Sequence, residues 1–275
     1  MTHGRTITGN EPINYWQERY GQTASSAPMF SRVGLYSTFS SVPAAGYPIE
    51  KTTTAPYASN NILIHSIRCL QTNDEDDATM AIYNNSVNTT DVSASSLVMR
   101  WVINRQSKKN NTFNIDFPIP LFLQGGGRID YDESPLVSGP VVTICYTVLD
   151  SQGALPNAEY TFLSSCQQSV DGALTTHVDN CDVEVHGAFC TSTSTTAGDY
   201  AFLQMKNTDN TVMCQIPINE SDADTGNDND IQWFPYPVYM KGKLQLEHTQ
   251  VGADHAYSTV FYRKVNSDGI DHGWV

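Results

Sequence analysis

The sequence predicts an all-β fold of two tandem antiparallel β-sandwiches, jelly-roll-like in kind, behind an extended N-terminal arm. Composition, alternation and an internal repeat predict it. Only 16% of the 275 residues are charged, against about 25% in an average globular protein. Ser, Thr, Asn, Gly and Tyr fill the difference, as in strands joined by exposed turns. Short runs such as 97–103 and 244–246 alternate between apolar and polar residues, which is typical of half-buried strands.

The internal repeat includes two stretches that recur in the same order. A His-x-x-x-Cys run at 65–69 recurs at 186–190, which is 121 positions later. A Phe-Pro-x-Pro run at 117–120 recurs 117 positions later, at 234–237. A slowly drifting offset is what a duplication followed by small loop changes leaves, so we interpret the chain as an internal duplicate.

The repeat sets the predicted domain boundaries. Residues 1–31 form the N-terminal arm, residues 32–150 the first sandwich, and residues 151–275 the second sandwich with a short C-terminal tail. The arm contains the one helical candidate, 12–20, which has Pro12 at its start and Gly21 after its end. We expect the arm to lie against a neighbouring subunit, because a polar extended segment buries little area within its own chain.

The two Phe-Pro-x-Pro runs are expected at sheet edges. Proline has no N–H, and residues two apart in a strand direct their backbone groups to the same side. Pro118 with Pro120, and Pro235 with Pro237, therefore remove the donors along one side of each run. An edge strand without donors does not recruit foreign strands.

The charge of the chain excludes two classes of partner. Lys and Arg number 15 against 29 Asp and Glu, which gives a net charge of −14 and a pI near 4.7. Nucleic acids and anionic membranes would be repelled at long range. No apolar run approaches the roughly 20 residues of a membrane span. We therefore expect no nucleic-acid and no membrane partner.

One acidic loop is a weak calcium candidate. Residues 219–230 are rich in side chains with oxygen ligands. The EF-hand pattern is not met, however, because Gly226 stands one place early and no Glu stands at the twelfth position. A solvated loop is the favoured interpretation, and we expect no cofactor. The candidate ligands are Asp222, Asp224, Asp228 and Asp230.

The histidines and cysteines favour packing over chemistry. Residues four apart in a strand share a face, so His65 and Cys69 could be neighbours, as could His186 and Cys190, but two ligands fall short of the four of structural zinc. The six cysteines are not duplicated as a set, which favours buried free thiols. No hydrolase motif occurs, so we predict no catalytic residue and no enzyme.

The chain resembles virion structural proteins of tailed bacteriophages. Residues 62–83 look like the strand, polar hairpin and strand that open the sandwich domains of head-decoration, knob and tail proteins. Residues 118–148 look like their return, with a Gly turn, a short acidic strand and a closing strand. The resemblance implies a location in the virion after assembly in the host cytoplasm, with the chain's own copies and other virion proteins as partners. A looser resemblance links the chain to double jelly-roll major coat proteins.

Self-assembly predicts contacts in weakly charged flanks of the sandwiches. A different class remains open, since the aromatic residues of 233–239 could stack on sugars. That would make the chain a carbohydrate-binding module or a receptor-binding adhesin, with a host glycan or receptor as partner. Packing in the core and at the edge is the favoured use of these aromatics. The candidate interface residues are Trp16, Phe122, Leu136, Tyr236 and Tyr239.

Overall fold

The computed structural model describes sixteen strands, and none of the residues that it describes is helical. The all-β prediction is therefore confirmed. The described residues are 35–39, 47–49, 61–72, 77–84, 97–104, 111–123, 126–133, 140–148, 163–168, 174–192, 200–218, 228–251 and 256–265.

Strands β1 to β8, here called the first half, are Leu35–Phe39, Tyr47–Pro48, Ile62–Leu70, Ala78–Asn84, Leu97–Ile103, Thr112–Leu123, Gly127–Glu133 and Val141–Val148. Strands β9 to β16, the second half, are Leu163–Gln168, Leu174–Asp179, Asp182–Ser192, Tyr200–Lys206, Val212–Ile218, Asp228–Met240, Lys243–Val251 and Ala256–Val265.

The strand order is the same in both halves. The first half forms two four-stranded sheets, β1-β8-β3-β6 and β2-β7-β4-β5, and the second forms β9-β16-β11-β14 and β10-β15-β12-β13. Adding eight to each strand number of the first half gives the second, and the described pairings are antiparallel. Eight strands distributed in this way over two sheets are a jelly roll.

Each half has its own hydrophobic core between its two sheets. In the first half the core includes Ile64, Met80 and Trp101, all fully buried. In the second half Val185, Leu203 and Leu246 are buried in the same way. Burying a side chain of this size contributes about 1.5–3 kcal/mol. The first core also contains Phe189 and Phe261, which belong to strands of the second half.

Both halves contain the same irregularity, and the repeated sequence runs lie in it. Ile64 pairs with Leu121 and Ser66 with Asp116, so His65 alone stands opposite the four residues of the first Phe-Pro-x-Pro run. His186 stands opposite the second run in the same way, between Val185 and Gly187. A β-bulge of this kind bends the strand and interrupts the ladder.

The edge prediction for the Phe-Pro-x-Pro runs is confirmed. The runs lie in β6 and β14, and each of these strands ends the order of its sheet. Four residues opposite one leave backbone groups without ladder partners, and proline has no donor to leave unpaired. The sequence is therefore suited to this bulge.

Several predictions fall outside the described residues. The arm 1–31, its helical candidate 12–20 and most of the acidic loop 219–230 lie there. The domain boundaries stay a prediction. Among the described residues, no helix is long and apolar enough to cross a membrane.

Candidate functional site

The two halves of the chain are in direct contact. Five aromatic side chains, here called the inter-half aromatic cluster, meet there: Phe113, Phe117, Phe189, Trp233 and Phe261. The ring centroids of Phe113 and Phe189 are 5.3 Å apart, and those of Phe117 and Phe261 are 5.6 Å apart, both edge to face. Trp233 lies 5.0 Å from Phe261 and 6.4 Å from Phe117. Such aromatic pairs add about 0.5–1.5 kcal/mol to the free energy of burial.

Strand β5 is the part of the first half that the second half covers most closely. It contacts β9, β11, β14 and β16. The side-chain amide of Asn229 accepts a hydrogen bond from the backbone N–H of Val102 at 3.2 Å and donates one to its carbonyl at 2.5 Å. The guanidinium of Arg100 lies 4.3 Å above the ring of Tyr257, a cation–π contact. One strand edge is thus closed by a side chain from the other half.

The equivalent strand of the second half, β13, is exposed on the corresponding face. The side chains of Val212 and Met213 are 43% and 44% exposed, and Gln215 and Pro217 are exposed as well. The opposite face of β13 carries Cys214, Ile216 and Ile218, which pack on the second core. The sequence reasoning did not identify this surface, although the alternation in 212–218 was a signal for it.

The predicted interface residues have different environments. Phe122 is only 4% exposed, and its register partner Leu63 is fully buried. A contact between copies at Phe122 stays a prediction. Tyr236 is 84% exposed, whereas Tyr239 is 39% exposed and its hydroxyl donates to the carboxylate of Asp182. Trp16 and Leu136 lie outside the described residues.

The aromatics of β14 do not form one exposed platform. Trp233 packs in the inter-half aromatic cluster and Phe234 packs against the second core, which leaves Tyr236 as the prominent exposed ring of this run. The favoured use of these side chains, in core and edge packing, agrees with the positions of Trp233 and Phe234.

The calcium candidate is described at one end only. Asp230 accepts a hydrogen bond from the side-chain amide of Gln232 at 3.0 Å. Asp222 and Asp224 lie outside the described residues, and of Asp228 the backbone alone is described. Among the side chains that are described, no three of His, Cys, Asp or Glu gather closely enough to hold a metal ion.

The two His-x-x-x-Cys runs do not bring their histidine and cysteine together. The bulge adds one residue at each histidine, so positions four apart no longer share a face, and this expectation is corrected. His65 Nε2 lies 2.8 Å from Thr147 Oγ1, while Cys69 is buried in the first core. His186 accepts a hydrogen bond from Arg263 Nε at 3.1 Å.

A buried polar chain inside the second half was not anticipated from the sequence. His248 Nε2 lies 2.8 Å from Ser258 Oγ, which lies 3.4 Å from Cys190 Sγ, and all three residues are almost fully buried. Burial and, to a smaller extent, the nearby His177 lower the pKa of His248 to about 4. Burial also lowers the pKa of His177 to about 4. Both rings are therefore neutral near pH 7, and the chain of contacts is a core polar network. The strand alternation Leu244, Leu246, His248 was the sequence signal for it.

The described cysteine side chains are free thiols, as predicted, but only Cys69 and Cys190 are buried as the prediction required. Burial raises the pKa of the Cys69 thiol, and it also raises those of Cys181 and Cys214. A thiol whose pKa is raised is protonated and unreactive at neutral pH. The free cysteines are Cys69, Cys145, Cys181, Cys190 and Cys214.

Comparison with known proteins gives structural likeness only. No protein-family model and no curated protein matches the sequence. A chain of broad bean stain virus matches with 11% identity and a TM-score of 0.31, covering 86% of this chain and 90% of that one. The VP2 subviral particle of infectious bursal disease virus matches with 11% identity and a TM-score of 0.19, over 88% and 73%. Latent PorU from Porphyromonas gingivalis matches with 10% identity and a TM-score of 0.23, over 77% and 25%.

Proposed function

We propose that this chain is a non-enzymatic structural protein of a virion, which assembles with its own copies and with other virion proteins. The observation that carries the proposal is the jelly-roll strand order, present twice in one chain. Eight-stranded jelly rolls recur in viral shells, where their flat sides and wedge shape tile a closed surface. A chain with two such units presents two related sets of sides, which symmetric assembly can repeat.

The described polar side chains support this proposal because their contacts are structural. Ion pairs such as Arg68 with Asp116 and Arg263 with Glu184 bridge neighbouring strands. The buried histidine His248 contacts a serine in the core, where it is closed off from solvent. These contacts join neighbouring strands or lie within the core.

Within the virion we propose a capsid decoration, knob or tail component of a bacteriophage, in line with the resemblance of residues 62–83 and 118–148. A double jelly-roll major coat protein is the alternative within the same class. The two differ in what the chain builds: a coat protein forms a closed shell by itself, and a decoration or tail protein needs a lattice to bind. Localisation in the virion, after assembly in the host cytoplasm, follows from either version.

The decisive experiment is assembly of the purified chain. We expect oligomers by size exclusion with light scattering, and regular particles, rings or tubes by electron microscopy at high protein concentration. A chain that stays monomeric at every concentration and salt condition contradicts the proposal. Closed shells without any other protein favour the coat-protein version.

One observation keeps a second function in consideration. Tyr236 is 84% exposed between Pro235 and Pro237, also exposed, so its ring is held away from the sheet as a flat apolar surface. Stacking on sugar rings uses such aromatics. A glycan array tests it: binding that Tyr236→Ala abolishes and Tyr236→Phe retains favours an adhesin or carbohydrate-binding module.

A further inference from the structure

The outer face of β13, defined by Met213, Gln215 and Pro217, is equivalent to a face that is buried in the first half. Both β5 and β13 end the order of their sheet, and both have a bulge at their second residue, Val98 and Met213. When the two strands are aligned at this bulge, Val98 corresponds to Met213, Arg100 to Gln215 and Val102 to Pro217.

The two faces differ in burial. Val98 and Val102 are 2% and 1% exposed, and Arg100 lies over Tyr257 of the second half. Met213 is 44% exposed, and Gln215 and Pro217 are exposed too. A surface that is covered in one half is thus open in the other, although the strand, the sheet order and the bulge are the same.

The covering surface also has an equivalent, on the β1-β8-β3-β6 sheet. Cys190 pairs with Ser258 and Asp230, and Cys69 pairs with Val142 and Phe113 at the same place in the first half. One position further along, Tyr257 corresponds to Val141 and Asn229 to Thr112. We call Arg68, Leu70, Thr112 and Val141 the β3 patch, in which Arg68 and Val141 are partly buried. Leu70 is 41% exposed and Thr112 is exposed.

We propose that the outer face of β13 docks on the β3 patch of a second copy of this chain, in the arrangement that joins β5 to the second half within one chain. This inference rests on the proposed function, because a self-assembling protein needs a contact between copies. The second half of each copy would contact the first half of the next. Such a head-to-tail contact closes into a ring or continues as a filament, depending on the rotation per step.

The outer face of β13 and the β3 patch both combine apolar and polar side chains. Together they are less apolar than the surfaces that meet between the two halves of one chain. In this arrangement Gln215 lies over Val141, as Arg100 lies over Tyr257, and Met213 and Leu70 add apolar area to the same contact. Gln215 replaces the cation Arg100. Where Asn229 closes the edge of β5 at Val102, Thr112 and Pro217 stand at the equivalent positions, and proline has no N–H to be bonded. Contacts between separately folded chains have this mixed character, with apolar groups at the centre and polar groups around them. The contact between copies is therefore weaker than the one between halves, and it is reversible.

The first test is the association constant of the full-length chain, measured by sedimentation velocity over a range of concentrations. Met213→Glu and Leu70→Glu are each expected to lower it about tenfold or more, because each places a carboxylate in an apolar contact. Leu174→Glu is the matched control: Leu174 is 40% exposed and lies on β10, at the other end of the same sheet. It is expected to leave association unchanged. Equal association of all three variants and the wild type overturns the docking surface.

The second test does not depend on a variant that disturbs folding. Pro217→Cys chains are mixed with Thr112→Cys chains under mild oxidation, and a disulfide-linked dimer between the two variants is expected, because the equivalent residues Val102 and Asn229 are in direct contact. Leu174→Cys mixed with Thr112→Cys is expected to give none above the wild-type level. If the wild type assembles but the first mixture gives no more cross-linked dimer than the control, the docking surface is wrong and the proposed function stands. If the wild type does not assemble under any condition, the proposed function is overturned, and this inference with it.

Discussion

Gly187 occupies a position where a side chain does not fit. A Cβ at this residue would lie 2.5 Å from a ring carbon of Trp233 and 2.7 Å from the backbone oxygen of Gln232. The backbone oxygen cannot rotate away, so the bulge at His186 depends on glycine. The first half has Ser66 at the same register position, and its bulge accepts a Cβ.

Gly187→Ala is therefore expected to lower the free energy of unfolding by about 1–3 kcal/mol, because Trp233 must move out of the inter-half aromatic cluster. Chemical unfolding of the full-length chain measures this. Ser66→Ala is the matched control and removes only a hydroxyl, so its effect is expected within about 0.5 kcal/mol. Equal effects of the two substitutions would show that the close contact at Gly187 is relieved at no cost.

Acid is expected to destabilise the second half through its buried histidines. The pKa of His248 and that of His177 are both about 4 in the folded chain, below the ordinary 6.5. Below pH 6.5 the unfolded chain binds protons at these rings and the folded chain does not. The stabilisation is therefore complete above about pH 6.5 and is lost as the pH falls towards 4. Protonated His248 would also bury an N–H at Nδ1, which has no hydrogen-bond partner.

The expected loss for His248 between pH 7 and 4.5 is on the order of 2 kcal/mol. Urea unfolding at both pH values measures it, with His248→Gln as the comparison because glutamine does not titrate. The variant is expected to lose less stability on acidification than the wild type. The same dependence in both would assign the acid sensitivity to other groups.

At the scale of elements, Asn229 replaces a neighbouring strand at the edge of β5. Its amide makes two hydrogen bonds to Val102, so Asn229→Ala leaves a backbone donor and acceptor without these partners. We expect a loss of about 1–3 kcal/mol in the free energy of unfolding and faster hydrogen exchange at the Val102 amide. Thr112→Ala, at the equivalent register position on an exposed side chain, is expected to change neither quantity.

The prolines of the edge bulge in β14 protect the sheet from foreign strands. Replacing Pro235 and Pro237 together by alanine restores two N–H donors at an exposed edge. We expect the variant to fold and to aggregate faster on warming, measured by light scattering, because an edge with free donors recruits strands. Tyr236→Ser keeps both prolines and removes the exposed ring, and it is expected to aggregate no faster than the wild type. Faster aggregation of Tyr236→Ser alone would contradict this role of the prolines.

The strands were predictable from sequence because side chains alternate in a strand and turn residues separate the runs. The edge position of β6 and β14 was predictable because proline lacks a donor. The bulges were not, since the rule that residues four apart share a face assumes an unbroken ladder, and one extra residue at His65 or His186 ends that assumption. The contact between the halves was not predictable either. Phe189 and Phe261 are apolar residues in alternating strands, and the neighbouring sequence does not indicate that they pack in the core of the first half and not in that of the second.

At the scale of the whole molecule, net charge opposes assembly. The chain carries −14, so copies repel one another unless salt screens them. Screening is effective beyond about 8–10 Å at physiological ionic strength. The oligomer fraction is therefore expected to rise from low to high salt, measured by light scattering with and without calcium. Assembly that strengthens as salt is removed would mean that complementary charges drive it. A rise with calcium alone would direct attention to the loop that contains Asp222, Asp224, Asp228 and Asp230.

The sharing of Phe189 and Phe261 with the first core has a consequence for synthesis on the ribosome. A nascent chain that has emerged only as far as β8 has all eight strands of its first jelly roll. Phe113 and Phe117 would nevertheless lack part of their cover, because the rings of Phe189 and Phe261 that contact them lie in β11 and β16. Domains generally fold in the order in which they are made, yet this core is completed by residues of β11 and β16. The partly made protein therefore keeps an apolar surface that chaperones can hold until β16 has been made.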